Sequence, residues 1–203
     1  MRNGGKMNYV EFKEWLTEDE QYNVTRDIIV PARWKFGQVS DNFTLYPMWF
    51  QAFWNTRQYN YTSECVPIAK ALTERFIDEF VPTNYTLVRS MVCANSFGQD
   101  GDIHTDWPRA EESLTGVVYT TINWENQFGG ETVIYDADET CADVVVYETR
   151  KLITFDSSLP HIGKGPQRRC GDIRTIIAFQ AVREDAWRDA LEEKKQKKVE
   201  SSK

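Results

Sequence analysis

The segment GDIHTDW places His104 and Asp106 two residues apart. On a strand, residues i and i+2 point to one face. The spacing therefore lets an imidazole nitrogen and a carboxylate oxygen reach one metal ion. Such a triplet also arises by chance, and its weight comes from a second histidine. The chain holds 2 histidines, His104 and His161. His161 follows FDSSLP and precedes a glycine-rich turn, and it reads as part of another strand of the same sheet system. Any site needing three histidines is excluded. Two imidazoles and one carboxylate on one face of a metal leave three octahedral positions open. That facial set suits non-haem Fe(II), which must also take a co-substrate and O2. Zinc usually draws more His or Cys ligands and closes its site.

Arg174 opens the apolar run RTIIAFQ. Strand alternation puts Arg174, Ile176, Ala178 and Gln180 on one face and Thr175, Ile177 and Phe179 on the other. An arginine facing into a small barrel is costly unless it meets an anion. Its planar guanidinium can grip a carboxylate through two hydrogen bonds. The functional reading is an anchor for a dicarboxylate co-substrate; the plain alternative is a salt bridge at a strand start. In TGVVYTTINWENQFGGETVIYD, the same alternation places Tyr119, Thr121 and Asn123 on one face. If that face is inward, Tyr119 and Thr121 add hydroxyls beside the same carboxylate. Gly129 and Gly130 signal a turn that returns the next strand. Trp107 follows the proximal pair and either lines a substrate mouth or packs.

These residues need a sheet system to bring them together, and the second half of the chain reads as one. Short strands with turn punctuation are predicted at 85–94, 102–106, 116–123, 132–135, 143–147, 151–155, 160–163 and 173–182. No long helix separates them, so the pattern is that of a β-sandwich or barrel and not of a parallel α/β sheet. The first half reads as helical or irregular. Tyr9, Phe12, Trp15 and Leu16 recur at helical spacing, and 28–36 reads as a strand interrupted by Pro31. The helix predicted over 64–80 carries Ala69, Leu72, Thr73, Phe76, Ile77 and Phe80 on one stripe, with Pro67 in its first turn and Pro82 at its end. From Asp185 the chain reads as a solvated helix with a lysine-rich end. The expected organisation is one domain over 1–203: a mainly helical support at 1–84, a β core at 85–182 and a charged tail at 183–203.

Composition removes several classes. Aromatics make up 13% of the 203 residues, enough to build a core. The net charge of −7 and a pI near 5.0 disfavour nucleic acid and anionic membranes as partners. No apolar run approaches the ~20 residues of a membrane span, and no signal-peptide pattern is present. A cytoplasmic location is expected. The widely spaced Cys65, Cys93, Cys141 and Cys170 read as free thiols. The N-x-T triplets at Asn23, Asn42, Asn60 and Asn84 then read as chance and not as glycan sites.

Taken together, HTD, INWENQFGGETVIY, LPH and RTIIAFQ resemble the Fe(II)/2-oxoglutarate-dependent dioxygenases, in their prolyl 4-hydroxylase-like branch. The stretch ANSFGQDGDIHTD is also similar to oxygenases encoded by bacteriophages, for which the host cytoplasm would be the location. The likeness covers roughly residues 85–182. It implies a mainly β fold with supporting helices, a double-stranded β-helix of jelly-roll, cupin-like form. It implies that His104, Asp106 and His161 ligate Fe(II). It implies that Arg174 holds 2-oxoglutarate with help from Tyr119 or Thr121. The implied reaction consumes O2 and 2-oxoglutarate, releases succinate and CO2, and hydroxylates a C–H bond, with ascorbate as a reductant. The substrate it points to is a prolyl residue of a peptide or protein. A shorter spacing from His161 would put the basic residue at Arg168 or Arg169. Arg174 is preferred because it directly opens an apolar strand. The rival readings are a cupin-like metal-dependent hydrolase or isomerase, a non-catalytic β-barrel binding module, and a nucleic-acid demethylase. The first would not need a dicarboxylate anchor, the intact set of both histidines, Asp106 and Arg174 argues against the second, and the acidic pI weighs against the third.

Overall fold

The computed structural model describes residues 9–38, 47–136, 138–139 and 142–200. Asn42, Cys141 and the last residues of the lysine-rich end lie outside that description. In chain order the elements are β1 (Tyr9–Phe12), α1 (Glu18–Val24), β2 (Lys35–Gln38), β3 (Met48–Ala52), β4 (Trp54–Asn55) and β5 (Asn60–Tyr61). There follow α2 (Pro67–Phe80), β6 (Tyr85–Asn95), β7 (Ser113–Tyr119), β8 (Thr132–Tyr135) and β9 (Ala142–Val145). The chain closes with β10 (Leu152–Asp156), β11 (His161–Gly163), β12 (Arg174–Arg183) and α3 (Glu184–Glu200).

Two antiparallel sheets face each other. The larger runs β1-β10-β7-β12-β6-β3-β2, the smaller β11-β8-β9. β4 and β5 form a separate short ribbon. This is the expected mainly β, jelly-roll architecture with supporting helices. One apolar cluster, including Val117, Ile134, Tyr147, Ile153 and Phe155, fills part of the space between the sheets. Another lies between the helices and the outer face of the larger sheet, with Leu16, Leu72, Phe76, Val92, Val118, Ile177 and Phe179.

The central strands carry two chemistries because their residues alternate in direction. In β12, Ile177 and Phe179 join the helix-side cluster, while Arg174, Ile176 and Ala178 line a cavity between the sheets. In β6, Val92 faces the helices and Arg89, Met91, Cys93 and Asn95 line the cavity. α2 can approach closely because β7 carries Gly116 under it. A Cβ there would sit 2.3 Å from Phe76 Cε2.

Several local expectations change in the fold. Tyr9–Phe12 is not helical but extends the sheet edge, pairing Tyr9 with Phe155 and Phe12 with Leu152. Edge pairing satisfies its backbone, and a helix starts only where Thr17 and Glu20 form a capping box. Ile28 belongs to a π turn over Thr25–Ile29, so the strand predicted at 28–36 is displaced to Lys35–Gln38, past Pro31. The region expected to be helical support thus also supplies β1, β2 and β3. The helix predicted over 64–80 starts at Pro67, as suits a residue with no N–H to satisfy. β7 ends at Tyr119, short of the predicted 123. The Thr121 N–H donates to the Tyr147 hydroxyl at 2.7 Å, and Asn123 turns the chain at φ 55°. Residues 102–106 are not a strand; His104 makes an isolated bridge to His161.

Candidate active site

The loop between β6 and β7 carries His104 and Asp106, and His161 opens β11. Reciprocal backbone bonds tie the two histidines: His104 N–H to His161 O at 3.0 Å and His161 N–H to His104 O at 2.9 Å. Potential ligand atoms of His104, Asp106 and His161 all lie within 4.8 Å of one another. The Nε2 atoms of His104 and His161 stand 3.9 and 3.7 Å from the Asp106 carboxylate oxygens.

Backbone carbonyls set the imidazole tautomers. His104 Nδ1 lies 2.8 Å from Asp102 O, and His161 Nδ1 lies 2.9 Å from Leu159 O. A carbonyl can only accept, so each Nδ1 carries a proton, and in the neutral ring this leaves the lone pair on Nε2, the nitrogen nearer Asp106. Phe155 packs edge-on to His161, with ring centroids 4.8 Å apart.

Asp106 is held from both sides. Arg89 Nη1 donates to Oδ1 at 2.6 Å and the Thr115 hydroxyl donates to Oδ2 at 2.9 Å. Gln180 Nε2 donates to the Asp106 carbonyl at 3.0 Å. Burial pushes the Asp106 carboxyl up, but Arg89 and both imidazoles outweigh it and hold the group well below the usual carboxylate range. Burial, opposed by the Asp106 charge, pushes His161 down to about 4. At neutral pH the set therefore presents an ionised carboxylate and, at His161, a neutral imidazole.

The cavity, of about 100 Å³, is lined by this triad at one end and by Arg174 with Asn95, Thr132 and Gly163 at the other. Arg174 is 2% exposed. Its Nε donates to Gly130 O at 2.8 Å, and among the described residues its two terminal nitrogens make only long hydrogen bonds of 3.4 Å, to Asn95 Oδ1 and Thr132 Oγ1. Among the described residues no carboxylate pairs with it. Gly163 leaves room for the guanidinium: a Cβ there would stand 3.5 Å from Nη2. An isolated buried cation is unfavourable without an anion. The chemistry that would complete this end of the cavity is a carboxylate or similar group entering from outside the chain.

The two hydroxyls named beside Arg174 part company. Tyr119 donates to Thr132 Oγ1 at 2.9 Å, and its ring centroid lies 5.9 Å from the guanidinium carbon. Thr121 is turned away, donating to Ile173 O at 2.9 Å and meeting the Thr175 hydroxyl. Arg168 and Arg169 are exposed, and Arg169 Nη1 donates to Gln127. Four cavity residues escape sequence reasoning: Arg89, Asn95, Thr115 and Thr132. The strand period of β6, with Arg89 and Asn95 at the ends of one apolar face, is the signal that could have revealed two of them.

Beyond Asp106 the site opens into a larger cleft of about 700 Å³, which shares Gln38, Arg89, Met91 and Asp106 with the inner cavity. Trp107 lines it and also packs, with its ring 6.1 Å from Trp187 and its Nε1 donating to Glu112 at 3.0 Å.

No protein-family model matches the sequence, and no curated protein matches it. Solved structures do. A 2-oxoglutarate–Fe(II) oxygenase-family oxidoreductase from Burkholderia pseudomallei superimposes with a TM-score of 0.68 at 14% identity, over 86% of this chain and 85% of the other. The chain has the fold of the 2-oxoglutarate and Fe(II) oxygenases. A prolyl hydroxylase from Trichoplax adhaerens, in complex with a hypoxia-inducible-factor peptide fragment, gives 0.66 at 18% identity, over 87% and 84%. A prolyl-4-hydroxylase from Pseudomonas putida gives 0.61 at 16% identity, over 88% and 94%. Among the described residues no helix of this oxygenase fold is long and apolar enough to cross a membrane.

Proposed function

We propose that this protein is an Fe(II)- and 2-oxoglutarate-dependent oxygenase that hydroxylates a C–H bond, most specifically of a prolyl residue in a peptide or protein. One observation carries the reading: a buried guanidinium without a carboxylate partner among the described residues, in the same cavity as a His-Asp-His donor set. A metal hydrolase or a plain binding barrel has no use for the first of these. The two prolyl hydroxylases of the same fold support the choice of substrate, at identities of 18% and 16%. Fold alone does not set a substrate.

The donor set fits Fe(II): two imidazole nitrogens oriented by carbonyls at their Nδ1 atoms, one ionised carboxylate and one open side facing the cavity. His104, Asp106 and His161 would hold the metal, with Arg89 and Thr115 fixing the carboxylate. Arg174, Thr132 and Tyr119 would take the far carboxylate of 2-oxoglutarate and aim its keto acid end at the triad. Fe(II) held there with 2-oxoglutarate would supply the oxidising power for hydroxylation. The apolar lining at Met91, Val117, Ile176 and Ala178 limits water beside the reacting groups.

The test is anaerobic addition of Fe(II) and then 2-oxoglutarate to the purified chain. A visible metal-to-ligand charge-transfer band is expected, to be followed on aeration by one succinate per 2-oxoglutarate consumed. A folded, metal-loaded protein that shows neither band nor succinate would overturn the assignment.

A further inference from the structure

The outer cleft has the wrong charge for the chain that forms it. The protein carries a net charge of −7. Yet among the described residues the charged side chains lining this cleft are Arg57, Arg89 and Lys194 against a single carboxylate, Asp106. Asp106 is already spent on Arg89, at 2.6 Å. Arg57 and Lys194 make no ion pair among the described residues. They stand on different elements: Arg57 in the turn of the β4–β5 ribbon, Lys194 on α3. Several other cations of this acidic chain are paired. Arg75 meets Glu20, Arg183 meets Glu112, and Arg109, beside the cleft, lies 3.9 Å from Glu193. Two cations left over on one cleft invert the local potential, and such a concavity concentrates anions.

The walls add a second property. Trp54, Tyr59, Trp107 and Trp187 line the same cleft, and Trp187 Nε1 bonds the Tyr59 hydroxyl at 2.8 Å, joining α3 to the ribbon. Flat aromatic faces suit ring and aliphatic side chains. At about 700 Å³ the cleft has the size of a small-ligand or short-peptide site, and it opens directly onto the triad's carboxylate. A nucleic acid would need a track of phosphate contacts across a surface whose overall charge repels it. The aromatic walls with two flanking free cations fit a short peptide better.

We infer that the cleft selects peptide segments bearing aspartate or glutamate beside the residue to be modified, with Arg57 and Lys194 reading those carboxylates. The inference rests on the oxygenase reading for what happens to the peptide, but its binding test does not.

The probes are short fluorescein-labelled peptides with a central proline flanked by Asp, Asn or Lys. Binding is followed by anisotropy to the full chain loaded with Mn(II) and 2-oxoglutarate without O2. The Asp peptide is expected to bind about fivefold tighter than the Asn peptide, as two exposed ion pairs allow. That preference should fade as added salt screens it. In the double variant Arg57→Gln, Lys194→Gln it should vanish, with Mn(II) and 2-oxoglutarate affinities unchanged. In Arg57→Glu, Lys194→Glu the Lys peptide should become the tighter ligand. Equal or tighter binding of Asn or Lys peptides to the parent chain overturns the inference. So do a preference that survives the double variant, a thymidine oligonucleotide that outcompetes the Asp peptide, and the absence of binding by any acidic peptide. Failure to bind Mn(II) or 2-oxoglutarate sinks the oxygenase reading alone, because the peptide comparison runs equally on the metal-free chain.

Discussion

On the side of β12 that meets α2, Phe179 stacks on Phe76 with ring centroids 4.6 Å apart, and Ile177 completes a fully apolar contact. On the other side of the same strand, Arg174 is equally buried but has no carboxylate partner among the described residues. The two faces share one backbone and differ only in residue parity. The helix-facing side fills its space and closes it. The cavity-facing side keeps space open and holds charge there, which favours folding less but leaves something for a ligand to complete. Stability and chemistry are thus separated by the pleat of the sheet, not by position along the chain.

Substitutions on the two faces should therefore differ in kind. The largest effect is expected for Phe76→Ala. It should lower unfolding stability by about 3–5 kcal/mol, read by urea denaturation, and leave the metal affinity of the still-folded fraction intact. Arg174→Leu should do the opposite. Affinity for 2-oxoglutarate, by calorimetry on the Mn(II)-loaded protein, should fall by about 100-fold. Stability without ligand should hold or rise, since an uncompensated buried charge is gone. A large loss of ligand-free stability in Arg174→Leu would break the contrast between the faces.

Acid should strike the cavity face as well. His161 is depressed from 6.5 to about 4 in the fold. Its stabilising contribution is complete above pH 6.5, where neither state is protonated. It is lost progressively as pH falls toward 4, because the unfolded chain takes up the proton first. The metal-free protein should lose up to about 1.4 kcal/mol per pH unit across that window. Asp106, also held low, extends the loss below the ordinary carboxylate range. Denaturation midpoints measured between pH 7 and 4 check this, and His161→Asn should flatten the profile. The smallest effect separates two hydroxyls. Thr132→Val should weaken 2-oxoglutarate binding about fivefold, the scale of one hydrogen bond. Thr121→Val should leave that affinity unchanged, because its hydroxyl serves Ile173 and Thr175. Equal losses from both would mean that Thr121 reaches the co-substrate after all.

Much of this arrangement is readable from residue order. The parity of β12, with Arg174, Ile176 and Ala178 on its cavity face, follows from the RTIIAFQ pattern, and the stripe of α2 follows from helical spacing. His104 and Asp106 do converge with His161, though not through the strand that the spacing suggested. A loop with one bridge places them instead. The N-terminal segment was less readable. Tyr9–Phe12 has helical spacing, yet the open edge of β10 decides its conformation. Thr121 was misplaced on the Arg174 face because strand parity was carried past Tyr119, where Tyr147 draws the backbone out of the ladder.

Residue types and local periodicity alone thus determined the inventory of the site: two histidines, one nearby carboxylate, and one arginine at the head of an apolar strand. Only the meeting of the two sheets decided the rest. It put Thr132 of β8 next to Arg174 of β12, set Arg89 of β6 on Asp106, and withheld any carboxylate of the described residues from Arg174. Such pairings join residues far apart in the chain. No local spacing encodes them, because strand pairing and burial, which act across the whole fold, choose which distant side chains share a cavity.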